Sequence, residues 1–366
     1  MRVIIQSLQV ENFRHLASQK FDFDSQFNLI VGKNASGKTS LLEAIYFLSQ
    51  TNSFRTSRIN QAICEGEEYL RVIAELQSLD GTLTSRLGIE RTKADLIVRQ
   101  DGENIRRRSH LAKLLPMLFL GPDTGTQLMA EPKARRQFMD WGLFQNYEAY
   151  LAIWQRYDKA LSQRNAALKG GYSDAVLNSI ELELAESGEI LNRYRRTFIE
   201  EITPAIVGLL GKLVDQDAVW RLDYLSGFTE GALYEELFSA RARDRQMTFT
   251  RVGPHRGDFT LRCNGRIVTQ HLSRGEIKLA TIALMLSQIQ LHQHLQSSST
   301  ILLMDDLTAE LDQEKRLILL EELVAQKSQL FVTCLEIEEF PELMDSTLIS
   351  QRGHYQLNDG IAQKMV

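Results

Sequence analysis

The sequence predicts an α/β fold, with strands toward both ends of the chain and helices in the middle. An apolar strand, Phe27–Val31, runs directly into a glycine-rich loop and then into an amphipathic helix over residues 39–49. A second apolar run, Ile301–Met304, is followed by two aspartates. This pattern is typical of a buried parallel strand that places a carboxylate at the edge of a sheet. From Lys133 onward, between these segments, the pattern is helical.

The N-terminal third of the chain carries further strand patterns. The dipeptides Asp80-Gly81 and Asp101-Gly102 are of the kind that form tight hairpin turns. They separate short runs of alternating apolar and polar residues, so we expect antiparallel pairing. The predicted strands in this third are residues 3–13, 20–23, 69–79, 83–90 and 96–99.

The middle of the chain predicts two helices that pack as a short antiparallel arm, separated by Gly170-Gly171. Apolar residues recur every seven positions along each helix, a spacing typical of packed helices. The first helix carries one seam at Tyr147, Trp154, Leu161 and Leu168 and a second at Tyr150 and Tyr157, and the second helix carries Leu184, Leu191 and Phe198. Strands are expected again at residues 246–250 and 259–262.

Composition narrows the class of protein. A net charge of −5 over 366 residues argues against a protein that coats nucleic acid through its overall field, although arginines cluster locally. The three cysteines are few and far apart, which suits a reducing compartment. No run approaches the roughly 18 apolar residues that a membrane helix needs. We therefore expect a cytoplasmic protein that does not enter a membrane.

The most specific motif is a P-loop. Glycine, four residues of any type, then Gly37, Lys38 and Thr39 match the Walker A pattern. Glycines let the backbone approach a phosphate closely, Lys38 offers a positive charge to the β- and γ-phosphates, and the Thr39 hydroxyl is a ligand for Mg²⁺. ATP and Mg²⁺ are therefore the expected cofactors. The predicted ATP-binding residues of this loop are Gly32, Lys33, Asn34, Ala35, Ser36, Gly37, Lys38 and Thr39.

The two aspartates after Ile301–Met304 complete the predicted site as a Walker B motif. Asp305 is expected to be the carboxylate on the Mg²⁺ side, next to Thr39. Asp306 stands where a general base would polarise the attacking water; the alternative for it is an acid near the start of a helix over residues 310–322. We expect Lys38, Asp305 and Asp306 to be the catalytic residues of ATP hydrolysis.

A third motif, Ser273, Arg274, Gly275 and Glu276, opens a helix. One interpretation is local, because a serine followed three residues later by a glutamate forms a capping box. The other is that a serine and a glycine at a helix N-terminus bind an anion. Beside the Walker motifs, the segment looks like the signature sequence of ABC-type ATPases.

Taken in order, these motifs resemble those of the RecF family of bacterial recombination mediators, which are SMC-like ABC-type ATPases, along nearly the whole chain. The segments that carry the resemblance are Asn12-Phe13-Arg14, the Walker A loop, residues 132–141, the loop Gly253-Pro254-His255-Arg256, the signature, and the paired aspartates followed by a D-loop with Glu310 and Asp312. The role of His255 stays open between sensing a phosphate or DNA and a structural hydrogen bond.

The resemblance implies an ABC/SMC-like ATPase head, with a mixed sheet that contains the P-loop, and an inserted α-helical arm. Residues 1–130 and 246–366 would form the head, and residues 131–245 the arm. The signature of one subunit would act in trans on the ATP held by the P-loop of another, so ATP would drive homodimerisation. Arg14 would be a further ATP contact.

By the same resemblance, the protein is expected to act in DNA replication and recombinational repair. It would bind double-stranded DNA and ssDNA–dsDNA junctions without sequence preference and help to load recombinase, with RecR and RecO as partners. Its ATPase would be stimulated by DNA. It would also be weak, because Glu276 replaces the usual Gln, Thr333 stands where transporters have His, and Asp306 is shorter than the common Glu. The predicted DNA contacts are Arg106, Arg107 and Arg108.

The main alternative is the ATPase subunit of an ABC transporter. In such a cassette the signature follows the P-loop within one compact domain, whereas here a helical arm separates Thr39 from Ser273. The short arm argues against a long-rod SMC protein, and the signature helix argues against a P-loop kinase. No further carboxylate cluster suggests a nuclease. A DNA clamp gated by ATP, with negligible turnover, differs from the enzyme only in rate.

Overall fold

A computed structural model of the chain describes residues 3–78, 81–306, 313–339 and 352–365. All five strands predicted in the N-terminal third are present, and further strands occur beyond it. The strands are β1 (Val3–Glu11), β2 (Gln19–Asp22), β3 (Phe27–Val31), β4 (Tyr69–Ser78), β5 (Thr84–Thr92), β6 (Leu96–Gln100), β7 (Glu103–Asn104), β8 (Met117–Leu120), β9 (Trp220–Leu225), β10 (Asp258–Cys263), β11 (Arg266–Ile267), β12 (Ile301–Met304), β13 (Leu330–Cys334), β14 (Arg352–Asn358) and β15 (Ile361–Met365).

Helices dominate the middle of the chain. They are α1 (Lys38–Gln50), α2 (Arg108–Leu114), α3 (Thr124–Ala130), α4 (Pro132–Asn146), α5 (Tyr150–Lys169), α6 (Asp174–Leu213), α7 (Leu233–Met247), α8 (Arg274–Gln296) and α9 (Gln313–Ala325). Within the described residues, no helix combines the length and the apolar character needed to cross a membrane.

The chain divides into two compact units. The first combines Met1–Gly125 with His292–Val366, and the second is Thr126–Leu291. Strand β3, from the N-terminal part, lies between β13 and β14, from the C-terminal part, in one sheet. This confirms the expected head built from both ends of the chain. Residues 246–291 lie in the second unit, so the division differs from the predicted one at residue 245, and the predicted domain limits stay predictions.

The first unit contains an antiparallel sheet in the order β2-β1-β4-β5-β6-β7. Along β4, Leu70 and Val72 are buried while Arg71 and Ile73 face outward, so one face of the sheet packs on the core. The turn between β6 and β7 has φ values of 52° at Asp101 and 88° at Gly102, which match a tight hairpin.

The second sheet of this unit positions the predicted site. Its order is β15-β14-β3-β13-β12-β8, and every neighbouring pair except β14 and β15 is parallel. Each residue of β3, β12 and β13 is buried, as expected for strands covered on both faces. The carboxyl ends of parallel strands meet at one edge, where α/β proteins place their ligands.

Helix α1 joins the two sheets into one core. Its predicted apolar face is confirmed, because Leu41, Leu42, Ile45 and Leu48 are all fully buried. They belong to a single cluster with residues of both sheets. The start of α1, which follows the P-loop, is therefore fixed by packing on both sides.

The second unit contains α4 to α7 and a three-stranded sheet in the order β11-β10-β9. The helices predicted on either side of Gly170-Gly171 are confirmed as α5 and α6, which pack against each other. The predicted apolar seam of α6 is buried. In α5 the second predicted seam, Tyr150 and Tyr157, is buried. The first seam is wrong at Trp154, which is 36% exposed, although Leu168 at its end is buried.

A buried arginine explains which side of α5 faces the interior of the unit. Arg164, seven residues after Tyr157, is fully buried and bonded to two fully buried carboxylates, Glu181 at 3.0 Å and Asp244 at 2.6 Å. Buried charges need such partners, so these acids hold α5 with Arg164 inward. Apolar spacing alone could not predict this orientation.

The strand predicted at residues 246–250 is wrong, whereas the strand at 259–262 is confirmed within β10. Helix α7 continues to Met247, because the arginines, alanines and glutamine before it favour a helix. Thr248 then ends the helix in a left-handed conformation with φ 62°. Thr250 donates its backbone N–H to the Asn165 side chain at 2.7 Å instead of to a strand partner.

Candidate nucleotide-binding site

The P-loop connects the carboxyl end of β3 to the N-terminus of α1, as predicted. Glycine is required at both ends of the loop. A Cβ atom on Gly32 would lie 2.4 Å from the carbonyl oxygen of Leu357, so no side chain fits there. Gly37 has φ 112°, a conformation that other residues rarely adopt. The loop thus keeps its backbone accessible to a ligand.

The polar side chains of Lys38 and Ser36 differ in their hydrogen bonding. The Lys38 ammonium group donates hydrogen bonds to the carbonyls of Gly32 and Lys33 and so arches over the loop. The Ser36 hydroxyl is buried without a hydrogen-bond partner among the described residues. Buried polar atoms rarely lack partners, so this hydroxyl fits a loop that binds a polar ligand.

A chain of side-chain hydrogen bonds joins the Walker A and Walker B residues. The Thr39 hydroxyl donates to Asp305 Oδ2 at 2.8 Å. The Thr333 hydroxyl, at the end of β13, donates to Asp305 Oδ1 at 2.7 Å. Because β13 lies between β3 and β12, Thr333 stands between the two motifs. Both carboxylate oxygens of Asp305 are oriented by hydroxyl groups.

Asp306 has a strained backbone. Its φ is 56°, which is uncommon for a residue other than glycine, and its N–H donates to the Thr333 hydroxyl at 2.9 Å. Left-handed residues of this kind occur often at functional sites. The strain turns the chain immediately after Asp305 and leaves Asp306 at the rim of the cavity described next.

The P-loop and the two aspartates line one cavity of about 300 Å³. The other residues that line it, none of which the sequence predicts for the site, include two basic ones, His15 and Arg55. The Arg55 side chain is 44% exposed and lies 3.6 Å from Glu43 of α1. An arginine in the serine- and threonine-rich segment after α1 was the only sequence signal for it.

Arg14 lies away from this cavity lining. Its guanidinium donates to both carboxylate oxygens of Glu43, at 2.7 and 3.0 Å, and to the carbonyl of Gln61 at 2.7 Å. Glu43 is fully buried, so the pair anchors the loop after α1 to the helix. The role of Arg14 as an ATP contact stays a prediction, and Arg55 is the arginine that reaches the cavity.

The donors at this site suit Mg²⁺ bound together with phosphates. Thr39 and Asp305 supply a hydroxyl and a carboxylate, both hard oxygen ligands. In the described part of the chain no three His, Cys, Asp or Glu side chains are grouped as metal ligands. Mg²⁺ typically takes one or two protein carboxylates and completes its shell with waters and substrate phosphates. The residues present therefore fit the expected cofactors.

The signature segment forms the N-terminus of α8. The Ser273 N–H donates to the Glu276 carboxylate at 2.7 Å, and the Glu276 N–H donates to the Ser273 hydroxyl at 3.3 Å. The capping-box interpretation is therefore confirmed. These hydrogen bonds lower the pKa of Glu276, so it is ionised at neutral pH. Ser273 and Arg274 are exposed, and the role of this segment in trans stays a prediction.

The remaining predicted site residues are divided between the surface and the undescribed part of the chain. Arg106 and Arg107 lie between β7 and α2, and Arg108 begins α2. All three are exposed and line a surface groove of about 490 Å³. The D-loop residues, Glu310 and Asp312, lie outside the described residues.

Both ring nitrogens of His255 make hydrogen bonds in this fold. Its Nε2 donates to the carbonyl of Thr250 at 3.0 Å, so its Nδ1 accepts from the Tyr157 hydroxyl at 2.7 Å. Burial, and then the positive charge of nearby arginines, lowers the pKa of His255 to about 4. The ring is therefore neutral at pH 7 and holds the loop 253–256 to α5.

Comparison with known proteins decides the family. The sequence profile described as RecF/RecN/SMC N terminal domain matches residues 4–353. The DNA replication and repair protein RecF of Pseudomonas entomophila (strain L48) is 36% identical over 337 residues, which cover 91% of each chain. The chain belongs to the RecF family. A RecF of Pseudomonas putida (strain ATCC 700007 / DSM 6899 / JCM 31910 / BCRC 17059 / LMG 24140 / F1) is 38% identical over 316 residues, 86% of each chain.

Solved structures agree with this assignment. The RecF-family fold of the chain matches a structure described as the recombination mediator protein RecF-ATP in RecFOR pathway, with a TM-score of 0.85 and 26% identity over 100% of this chain and 98% of the other. An Smc head domain from Pyrococcus furiosus matches with a TM-score of 0.62 at 16% identity, over 99% and 96% of the two chains. The second likeness concerns the fold alone. Together they confirm the expected ABC/SMC-like ATPase head.

Proposed function

We propose that this RecF-family protein is an ATP-dependent DNA-binding ATPase of DNA replication and recombinational repair. The observation that carries the proposal is the hydrogen-bonded chain from Thr39 through Asp305 to Thr333, at the edge of the cavity that the P-loop lines. A RecF structure bound to ATP shares this fold over its whole length, which supports ATP as the ligand.

In this proposal the P-loop binds the phosphates of ATP. Backbone N–H groups of residues 33–39 and the N-terminus of α1 attract the negative charge, and Lys38 neutralises the β- and γ-phosphates. Thr39 and Asp305 hold Mg²⁺, which would stabilise the charge that develops on the phosphates. Arg55 supplies a further positive charge from the wall of the cavity.

We propose that Asp306 polarises the attacking water and that hydrolysis is slow. Its carboxylate is one methylene shorter than glutamate, and Thr333 replaces a histidine in the second position near the γ-phosphate. DNA would stimulate this weak activity. A slow ATPase suits a protein in which bound ATP maintains one conformational or assembly state, rather than one in which repeated hydrolysis drives motion.

The signature suggests that two copies of the chain close over ATP. Ser273 and Arg274 are exposed at the positive N-terminus of α8, and Ser273 keeps its hydroxyl at the surface while it caps the helix. Such a terminus binds the γ-phosphate of an ATP held by a second subunit. ATP would thus become part of a homodimer interface.

DNA is the proposed partner of the dimer. Arg106, Arg107 and Arg108 would contact the phosphodiester backbone without reading bases, at duplexes and at ssDNA–dsDNA junctions. Similar structures are described as acting in the RecFOR pathway, which supports RecR and RecO as protein partners. The relatives do not favour the alternative, an ABC transporter subunit.

The test is to measure dimer mass and DNA affinity with and without ATP and Mg²⁺, at low and at high salt. We expect ATP to increase both dimer mass and DNA affinity, and we expect salt to weaken DNA binding steeply. The control is Lys38→Ala, in which ATP should have neither effect. If ATP changes neither property of the unaltered protein, the proposal is wrong.

A further inference from the structure

The loop of residues 250–258, in the second unit, is held in a conformation that requires glycine. Gly253 has φ 130° and ψ 177°, a region essentially restricted to glycine. Gly227, with φ 81°, has no room for a Cβ atom, which would lie 2.7 Å from three backbone atoms of the loop. Two stretches of backbone therefore touch with no side chain between them.

Side chains from the helices of the same unit fasten this loop. The buried Arg195 of α6 donates to the carbonyl of Pro254 at 2.6 Å. Arg136 of α4 donates to the carbonyl of Gly257 at 3.1 Å. The His255 ring is bonded on both of its nitrogens. The loop is therefore preorganised, and its exposed groups keep fixed positions.

Two arginines at this loop, Arg256 of the loop itself and Arg136 of α4, have guanidinium donors that are not used within the described part of the fold. Arg256 is exposed, and its guanidinium lies over the ring of Phe249, 5.3 Å from the ring centroid. In residues 3–78, 81–306, 313–339 and 352–365, no side chain or backbone group accepts a hydrogen bond from Arg256. The Arg136 guanidinium makes one hydrogen bond, from Nη1 to the loop, and within the same described residues its other N–H groups have no acceptor.

Positive charge is in excess around these two arginines. Partial burial, then the charge of Arg195, and less strongly that of Arg256, lower the pKa of Arg136, and the nearby acids do not cancel the shift. Those acids are already bonded, since Asp140 accepts from Arg195 at 2.7 Å and Asp258 accepts twice from another arginine of α4. Like charges held together cost free energy unless an anion offsets them.

We propose that Arg136 and Arg256 form a second phosphate-binding site, in addition to the P-loop. Two guanidinium groups with uncommitted donors match the planar, forked geometry with which arginine binds phosphate oxygens. Because Arg256 is exposed, a phosphate that is part of a larger molecule can reach it. This phosphate belongs either to the backbone of DNA or to a nucleotide. The DNA alternative rests on the function proposed above.

The test uses Arg256→Gln and Arg256→Lys, because Arg256 is exposed and makes no hydrogen bond that the fold needs. The matched control is Arg221→Gln, which removes an arginine of the same unit whose side chain is 76% exposed. The first measurement is the affinity for a short DNA duplex, without nucleotide, over a range of salt. The second is the affinity for ATP without DNA.

A third measurement uses inorganic phosphate as the probe and follows unfolding by tryptophan fluorescence. All three tryptophans, Trp141, Trp154 and Trp220, belong to the second unit, so the signal reports on the unit that contains the site. Phosphate should raise the Tm of the unaltered protein and of Arg221→Gln, and it should raise the Tm of Arg256→Gln less.

If the phosphate belongs to DNA, Arg256→Gln should bind the duplex about tenfold more weakly than the unaltered protein. The slope of log affinity against log salt should be smaller by about 1. Arg256→Lys should recover part of this loss, because it keeps the charge and loses the fork. If the phosphate belongs to a nucleotide, Arg256→Gln should instead bind ATP about tenfold more weakly. The proposal is overturned if Arg256→Gln equals the control in all three measurements. A protein that binds no DNA would contradict the proposed function, while the phosphate measurement would still test the site.

Discussion

The Thr333 hydroxyl donates a hydrogen bond of 2.7 Å to Asp305 Oδ1 and accepts one of 2.9 Å from the N–H of Asp306. One buried side chain thus orients both Walker B aspartates. A histidine could not donate and accept through a single atom, because each ring nitrogen of a neutral imidazole does only one of the two. The threonine therefore holds the proposed Mg²⁺ ligand and the proposed general base in a fixed relation.

The first prediction concerns this contact. Thr333→Val removes both hydrogen bonds at a buried position and leaves a carboxylate oxygen and an N–H without their partner. We expect kcat for ATP hydrolysis to fall by a factor that corresponds to about 1–3 kcal/mol, with a smaller change in KM. Thr333→Ser keeps the hydroxyl and is the control. Equal rates for the two variants would refute the orienting role.

The second prediction concerns Thr39, which is half-buried and bonded to Asp305. Thr39→Val keeps the shape of the side chain and removes the proposed Mg²⁺ ligand. Affinity for ATP should fall about tenfold in the presence of Mg²⁺ and change little in the presence of a chelator. Thr39→Ser should bind ATP like the unaltered protein in both conditions. A loss that is equal with and without Mg²⁺ would assign Thr39 a structural role only.

The third prediction concerns the exposed signature serine. Ser273→Arg places a bulky cation where a second subunit would present its ATP, so ATP-driven dimerisation should be abolished while ATP binding is retained. Loss of the helix cap costs only about 1 kcal/mol. Ser273→Ala loses the same cap without the added bulk and should still dimerise in part. Light scattering of Ser273→Arg that reports ATP-driven dimers of unchanged strength would contradict the proposed interface.

Local patterns predicted the P-loop and its flanking elements well, because strand, glycines and helix follow one another along the chain. Phe27–Val31, the loop and α1 depend on neighbouring residues and on burial that apolar spacing reveals. The pairing of Thr39 with Asp305 followed from two motifs whose geometry is shared by P-loop proteins.

Long-range packing accounts for what the sequence did not reveal. The two hydrogen bonds of the Thr333 hydroxyl exist only because β13 lies between β3 and β12. The order of strands in a sheet cannot be read from any one segment of the sequence. Arg55 reaches the cavity through a loop whose course depends on buried Glu43. The seam of α5 was misassigned because the hydrophobic pattern cannot indicate that an arginine is buried against Glu181.

The fourth prediction concerns pH and the buried His255. Its folded pKa of about 4 is below the ordinary value of 6.5, so the unfolded chain binds the proton more readily. The contribution of His255 to stability is present above pH 6.5 and is lost as the pH falls from 6.5 to 4, by about 1.4 kcal/mol per pH unit at most.

Tryptophan fluorescence during urea unfolding, between pH 7 and pH 5, checks this slope. His255→Gln should lose stability with falling pH less steeply than the unaltered protein, although it is less stable at pH 7. His271, exposed in the same unit as the tryptophans, provides the control, and His271→Gln should lose stability with falling pH more steeply than His255→Gln. His292, whose pKa burial also lowers to about 4, is retained in every variant and cancels from the comparison.

The fifth prediction concerns the backbone strain and the close contact at Gly253, in the loop 253–256. Gly253→Ala forces a side chain into a region that only glycine favours, and its Cβ would lie 2.7 Å from the Tyr157 hydroxyl that binds His255. Gly265→Ala is the matched control, because Gly265 also has positive φ, 78°, but no atom within 4 Å of the added Cβ.

We expect Gly253→Ala to lower the free energy of unfolding by about 2–4 kcal/mol, since the strain and the displaced Tyr157–His255 hydrogen bond act together. Gly265→Ala should lower it by about 1 kcal/mol, from the left-handed backbone alone. Because the tryptophans lie in the second unit, their fluorescence during urea unfolding measures both losses. Equal losses for the two variants would mean that neither the backbone region of Gly253 nor its contact with Tyr157 adds to the cost.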